Sequence, residues 1–312
     1  MKRYTAVFWI ALMFALLTAC AQATSAGNAG FGEVANKPEQ HSSDGQHVQP
    51  SAAPSTPIQP VIATSELVVG PNRMALGLLE NNVPIDDAAQ MEVKVRYYRL
   101  QGEQGTLVGE EAASYYGENL GPRGTFVIYP TFDTAGNWGL ELVVQRPGQE
   151  PMTLRTSVEV KERASAPKIG DPAPKSNTPT VKDASDLKTI TSDAEPDPRF
   201  YQMSVADAVT SGKPSLIMFA TPGYCSTAVC GPSIEVLGRL KDKFGDQVNA
   251  VHVEVYQLPY DQGKTVPAMQ EWGLQSEPWL FLVDKDGKIA GRYEGGITFQ
   301  ELEPAVSKLV QP

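Results

Sequence analysis

Three cysteines and three histidines are all the thiol and imidazole that the 312 residues contain. That is too little for a disulfide scaffold, and a chain of this length can bury a core without one. No dense basic run follows position 3 and the formal charge is −10, so the electrostatic footprint of nucleic-acid binding is missing. No glycine-rich phosphate loop opens a helix in the required context, and no organic cofactor is expected. What the chain does have is proline: much of its 25 lies in two tracts, the pattern of modules joined by linkers, and the length gives a prior of about two domains.

Lys2 and Arg3 precede an apolar run over residues 4–19, the order of a secretory signal. The run is short for a membrane-spanning helix, which needs about 18 residues, and no positive stop-transfer cluster follows it. The tetrad Leu17-Thr18-Ala19-Cys20 resembles the lipobox of bacterial lipoproteins. The resemblance implies removal of residues 1–19, lipidation of Cys20, and an extracytoplasmic protein anchored by lipid to the outer face of a bacterial membrane or to the outer membrane. Durable anchoring needs more than one acyl chain, at about 0.8 kcal/mol per buried CH₂. Lipid on Cys20 leaves Cys225 and Cys230 as an even pair in an oxidising compartment.

Residues 20–60 are poor in large apolar side chains and cannot offset the entropy of ordering, so they read as a disordered tether in which His41 and His47 are polar linker. Residues 61–162 follow period two: Met91, Val93, Val95 and Tyr97 alternate with Glu92, Lys94, Arg96 and Tyr98, and Trp138, Leu140, Leu142 and Val144 repeat the theme. Several half-buried strands between turn signals predict an all-β antiparallel sandwich. The turn entering Trp138, from Thr131 to Asn137, resembles that of immunoglobulin-like domains. This segment holds no His and no Cys, which argues against a copper site or a thiol nucleophile there and favours a spacer or partner module.

Residues 163–200 are a Pro-rich linker, whose opening 167–174 is similar to segments leading into exported thioredoxin-like domains and is expected to lie along the domain that follows. From 201 to 312 the period changes. Ser204 caps a short helix; 214–220 and 248–255 are buried strands; Ile234, Leu237, Leu240 and Phe244 mark one helical face; 279–283 turns through 284–287 into 288–293; and Thr298 with Glu301 is a capping box for a last helix. Strands alternating with helices and ending in a hairpin predict an α/β domain with a mixed sheet.

A strand ending at Ala220, the loop Thr221-Pro222-Gly223-Tyr224, then Cys225-Ser226-Thr227-Ala228-Val229-Cys230 opening a helix, and Glu277-Pro278-Trp279 before a hairpin together resemble the thioredoxin superfamily. The likeness extends over residues 200–310, to membrane-tethered thioredoxin-like proteins most of all. It implies that Cys225 attacks, Cys230 resolves, Pro278 is cis beside the sulfurs, and the partners are protein thiols or disulfides. A cysteine at a helix start has independent physical support, because unpaired N–H groups and the positive end of the dipole favour thiolate.

The spacing departs from that family: four residues separate the cysteines where two are usual. Positions five apart on an ideal helix put Cα atoms about 8–9 Å apart, beyond the 7 Å or so that a disulfide tolerates. Either Cys225 precedes the helix, or oxidation unwinds the first turn, and the latter, a redox-coupled rearrangement, is the expectation here. Strand 216–220 also lacks a buried acid, which leaves Glu254 or Glu277 as proton acceptor, and Tyr224, Trp272 and Trp279 as an apolar rim for a docking peptide.

Three alternatives use the same thiols. The Cys-x4-Cys spacing is similar to peroxiredoxins of the bacterioferritin-comigratory type, implying a thiol peroxidase, but Met218, Pro222 and Pro278 stand where that family has Pro, Thr and Arg. Copper chaperones of the oxidase-assembly type suggest Cu(I) held by Cys225, Cys230 and His252 in a delivery or assembly factor. Lastly, the pair is a structural staple in a non-catalytic binding module.

Overall fold

The computed structural model describes residues 58–311 apart from 103, 122, 123 and 262. The signal segment 1–19, Cys20 and most of the tether lie outside the described residues. Among the described residues no helix is long and apolar enough to cross a membrane.

Among the described residues twelve strands come first: β1 (Ile58–Ile62), β2 (Leu67–Val68), β3 (Gly70–Pro71), β4 (Met74–Glu80), β5 (Val83–Pro84), β6 (Glu92–Gln101), β7 (Gln104–Ala112), β8 (Ser114–Tyr116), β9 (Thr125–Ile128), β10 (Thr131–Phe132), β11 (Gly136–Gln145) and β12 (Met152–Lys161). One sheet runs β1-β4-β9-β8 with β5 on β4, a second runs β2-β12-β11-β6-β7, and β3 pairs with β10. Period-two alternation gives each sheet one apolar face. Met74, Leu76 and Phe126 of the first share a core with Val95, Trp138 and Leu140 of the second. The pairing is not wholly antiparallel. The two-residue β2 runs parallel to β12 at the sheet edge, pairing Leu67 with Val160.

The second half contains α1 (Val205–Thr210), β13 (Ser215–Ala220), α2 (Cys230–Phe244), β14 (Asn249–Glu254), α3 (Pro267–Glu271), β15 (Trp279–Val283), β16 (Ile289–Glu294) and α4 (Phe299–Leu309). Its sheet has the order β14-β13-β15-β16, with β13 and β14 parallel and the remaining pairs antiparallel. Continuous apolar runs make strands buried on both faces. Ile217, Phe219 and Phe281 pack on one side with α1 and α3 residues such as Val205 and Met269, while Leu216, Met218 and Leu280 pack on the other with Leu237 and Leu302.

The Pro-rich segment is hydrogen-bonded along this domain. Gly170 and Ala173 donate to the Ile289 and Gly287 carbonyls, Ile289 donates to Asp171, and the Val181 N–H reaches Tyr201. Its order comes from edge pairing and from side chains such as Ser176, which meets Trp272 and Glu271.

A buried polar network ties the first twelve strands to the second half. Arg73 donates from Nε and Nη2 to the two oxygens of Glu301 at 2.6 and 2.8 Å, and to the Glu294 and Gly296 carbonyls. The two side chains are 5% and 1% exposed. Glu301 therefore does not complete the expected capping box. Thr298 accepts from the Glu301 N–H, but the carboxylate is turned to Arg73 and to the Tyr129 hydroxyl. Arg292 pairs with Glu66, whose other oxygen accepts from Ser165 N–H. A free spacer does not make such contacts, since each buried charge must be paired or pay heavily in desolvation.

Candidate functional site

Strand β13 delivers the chain at Ala220 into a nine-residue loop that ends where α2 begins at Cys230. The helix does not reach back to Cys225. Ala228 has φ +57°, in the left-handed region disfavoured for residues with a Cβ, and a residue so placed cannot continue a right-handed helix. The first i to i−4 bond runs from Ser233 to Val229, and Pro232 in the first turn has no N–H to leave unpaired. Of the two geometries open for a Cys-x4-Cys pair, the loop position of Cys225 is the one realised, and no helical turn needs to unwind for the sulfurs to approach.

The sulfurs of Cys225 and Cys230 and a carboxylate oxygen of Glu277 lie within 4.8 Å of one another. Cys230 is fully buried and Cys225 partly exposed, both as free thiols. The Cys225 thiol is lowered to about 4 by the hydrogen bond from the Cys230 thiol first, against desolvation, with further help from the Thr227 hydroxyl and the Cys230 and Thr227 main-chain N–H groups. Thr227 Oγ1 stands 3.4 Å from Cys225 Sγ. The same sulfur contact pushes Cys230 strongly upward, with burial adding to it, while the Thr221 N–H partly offsets both. The site's first thiolate thus resides on the accessible sulfur. Glu277 is raised by burial first, then by the negative charge at Cys225 and at Glu254. The Glu277-Pro278 peptide bond is cis, and the Pro278 carbonyl accepts from Gly295 N–H.

Two other expected residues fall elsewhere. Trp272 and Trp279 are 0% and 3% exposed and belong to the core against Phe281, because both project into the α1/α3 face of the sheet; they form no rim. The rim instead groups Tyr224 with two residues the sequence did not single out. Tyr224 stacks on Tyr260 at 4.1 Å between centroids, and Tyr256 meets both edge-on. Tyr224 and Tyr260 are 41% and 46% exposed. The signal was slight: two tyrosines four apart around Pro259, after a strand.

His252 is not a ligand beside the sulfurs. Its ring is buried, Nε2–H donates to the Ala220 carbonyl at 3.0 Å, and Nδ1 accepts from the Tyr201 hydroxyl at 2.6 Å. Burial holds it below the ordinary imidazole range, so it is neutral with both nitrogens engaged. The Glu254 carboxylate is likewise engaged by other groups. Its oxygens accept from Ser192 N–H and Oγ–H, each at 2.7 Å, and from Val255 N–H. Of the two carboxylates, the one within 4.8 Å of both sulfurs among the described residues is Glu277.

A family model described as a thioredoxin-like domain matches residues 201–309. Residues 201–309 of the chain are therefore a thioredoxin-like domain. Similar solved structures include a thiol:disulfide interchange protein of the thioredoxin family from Chlorobium tepidum TLS, 16% identical, covering 47% of this chain and 100% of that one at a TM-score of 0.33. Another, from Bacteroides sp., is 19% identical over 47% of this chain and 92% of its own, at a TM-score of 0.33. StoA from Bacillus subtilis is 18% identical over 30% and 83%, at a TM-score of 0.25. No curated protein matches the chain.

Proposed function

We propose that the protein is an extracytoplasmic thiol-disulfide oxidoreductase, anchored by lipid at Cys20, that acts on protein disulfides or thiols through Cys225 and Cys230. The observation that carries the reading is the geometry of the sulfurs: a partly exposed Cys225 beside a buried Cys230, with a Glu277 carboxylate oxygen in reach of both, an arrangement that favours thiolate on Cys225 and thiol on Cys230. Supporting it is the tyrosine rim around Tyr224. For the first half we keep the immunoglobulin-like reading, which two sheets sharing one core support.

In the reductive direction the Cys225 thiolate attacks one sulfur of a substrate disulfide. The substrate S–S bond breaks, a mixed disulfide forms, and the departing thiolate takes up a proton from water. Cys230 gives its proton to Glu277 and attacks Cys225, closing the intramolecular disulfide and expelling the second substrate thiolate. Two electrons pass from the protein to the substrate, and the oxidative direction is the reverse.

Metal delivery is less well supported than exchange. With His252 engaged elsewhere, the third donor near the sulfurs is a carboxylate oxygen, a hard ligand poorly matched to Cu(I).

The deciding experiment is trapping. Cys230→Ser should accumulate mixed disulfides with partner proteins through Cys225, and Cys225→Ser should not. Absence of trapped partners together with a potential below about −300 mV would make the pair a structural staple.

A further inference from the structure

The loop that carries Cys225 is held from outside its own domain strands, by the segment that composition marks as a linker. Ser192 has one hydroxyl proton, and it goes to Glu254 at 2.7 Å. The Ser192 oxygen is left as acceptor, taking the Gly223 N–H at 3.0 Å and lying 3.4 Å from the Thr221 hydroxyl. The serine thus connects a buried carboxylate to the first residues of the Cys225 loop.

The approach is close as well as polar. A Cβ on Gly223 would lie 2.9 Å from the Ser192 Cβ and 3.0 Å from its carbonyl oxygen, so the contact requires glycine although the backbone angle does not. Glu254 and His252 are the polar residues facing one way in a strand whose neighbours Val251, Val253 and Val255 are apolar. In register, Glu254 is opposite Ala220, the last residue before the loop. His252 grips the Ala220 carbonyl itself and is in turn held by Tyr201, the first residue after the Pro-rich stretch. Burying an acid and an imidazole costs stability unless they are satisfied, and here both are satisfied by groups that lead to the loop entrance.

We infer that Ser192, braced by Glu254, is a positioning residue that fixes the loop bearing Cys225, which makes the Pro-rich segment a working part of the redox site. The inference rests on the oxidoreductase reading for its purpose, but its geometry can be measured without a substrate. The Cys225 sulfur faces Cys230, Thr227 and Glu277, and hydrogen bonds to a thiolate weaken steeply when the loop that aligns them relaxes.

The test is the pH dependence of iodoacetamide alkylation at Cys225 in the reduced full chain, read by peptide mass, together with the reduction potential. Ser192→Ala should raise the alkylation midpoint by about one pH unit and shift the potential downward. Ser192→Thr, which keeps the hydroxyl, should restore both. Gly223→Ala should move the midpoint the same way as Ser192→Ala by wedging the contact apart. Folded Ser192→Ala and Gly223→Ala proteins with wild-type midpoint and potential would overturn the inference. If alkylation responds to Ser192 but no partner is trapped by Cys230→Ser, the oxidoreductase reading falls and the positioning role stands.

Discussion

A carboxylate oxygen of Glu277 and the sulfur of Cys225 lie within 4.8 Å of each other. Each disfavours charge on the other, which is visible in the upward displacement of Glu277. An ionised carboxylate destabilises the reduced state, which carries the thiolate, and favours the disulfide. Glu277→Gln should therefore raise the reduction potential. One pKa unit of relief corresponds to about 1.4 kcal/mol, or about 30 mV for two electrons. The difference should be present at pH 8, shrink as acid protonates the wild-type carboxyl, whose titration burial displaces upward, and be read against a glutathione series. The same variant should lengthen the life of the mixed disulfide, because Cys230 loses its proton acceptor.

The low Cys225 value has a consequence for stability. A thiol depressed to about 4 in the folded protein binds fewer protons than its unfolded counterpart, whose ordinary value is near 9. Between these limits stability rises with pH, and it is lost as pH falls toward 4. Denaturant midpoints of the reduced protein and of reduced Cys225→Ala, compared from pH 5 to pH 8, should diverge with increasing pH in favour of the native thiolate. Parallel curves would contradict a thiolate at this position.

Arg73 and Glu301 join the two halves through a fully desolvated ion pair. Removing one partner leaves a buried charge uncompensated, so Arg73→Met should destabilise by about 3–5 kcal/mol. Replacing both with Met should cost less than the single change, since no orphaned charge remains. Urea melts of the wild type and the two variants test this.

Tyr224, next to Cys225 in the chain, stacks on Tyr260, and the two offer an exposed aromatic surface. Alanine at both should raise KM for a peptide disulfide several-fold, on the scale of about 1 kcal/mol per lost aromatic contact. Reduction of glutathione disulfide, too small to span the rim, should change little.

The sequence by itself determined the elements of both halves. Period-two alternation around Val95 and Trp138, the continuous apolar run of β13, the stripe from Ile234 to Phe244 and the Ser204 cap are local physics, and local physics is written in consecutive residues. The chain's resemblance to the thioredoxin superfamily also singled out Cys225, Cys230 and Glu277-Pro278, since the motifs that carry it are short stretches of consecutive residues. Only the tertiary structure decided the rest. Whether Cys225 lay in the loop or the helix turned on one left-handed residue, Ala228. Whether Trp279 faced solvent or core depended on which side of the sheet it met, and whether Glu301 capped its helix depended on an arginine 228 positions away. Ser192 reached Gly223 across 31 residues, from a segment whose composition reads only as linker. Contacts of that kind are formed by packing, and no pattern along the chain encodes which distant partner a buried polar group will find.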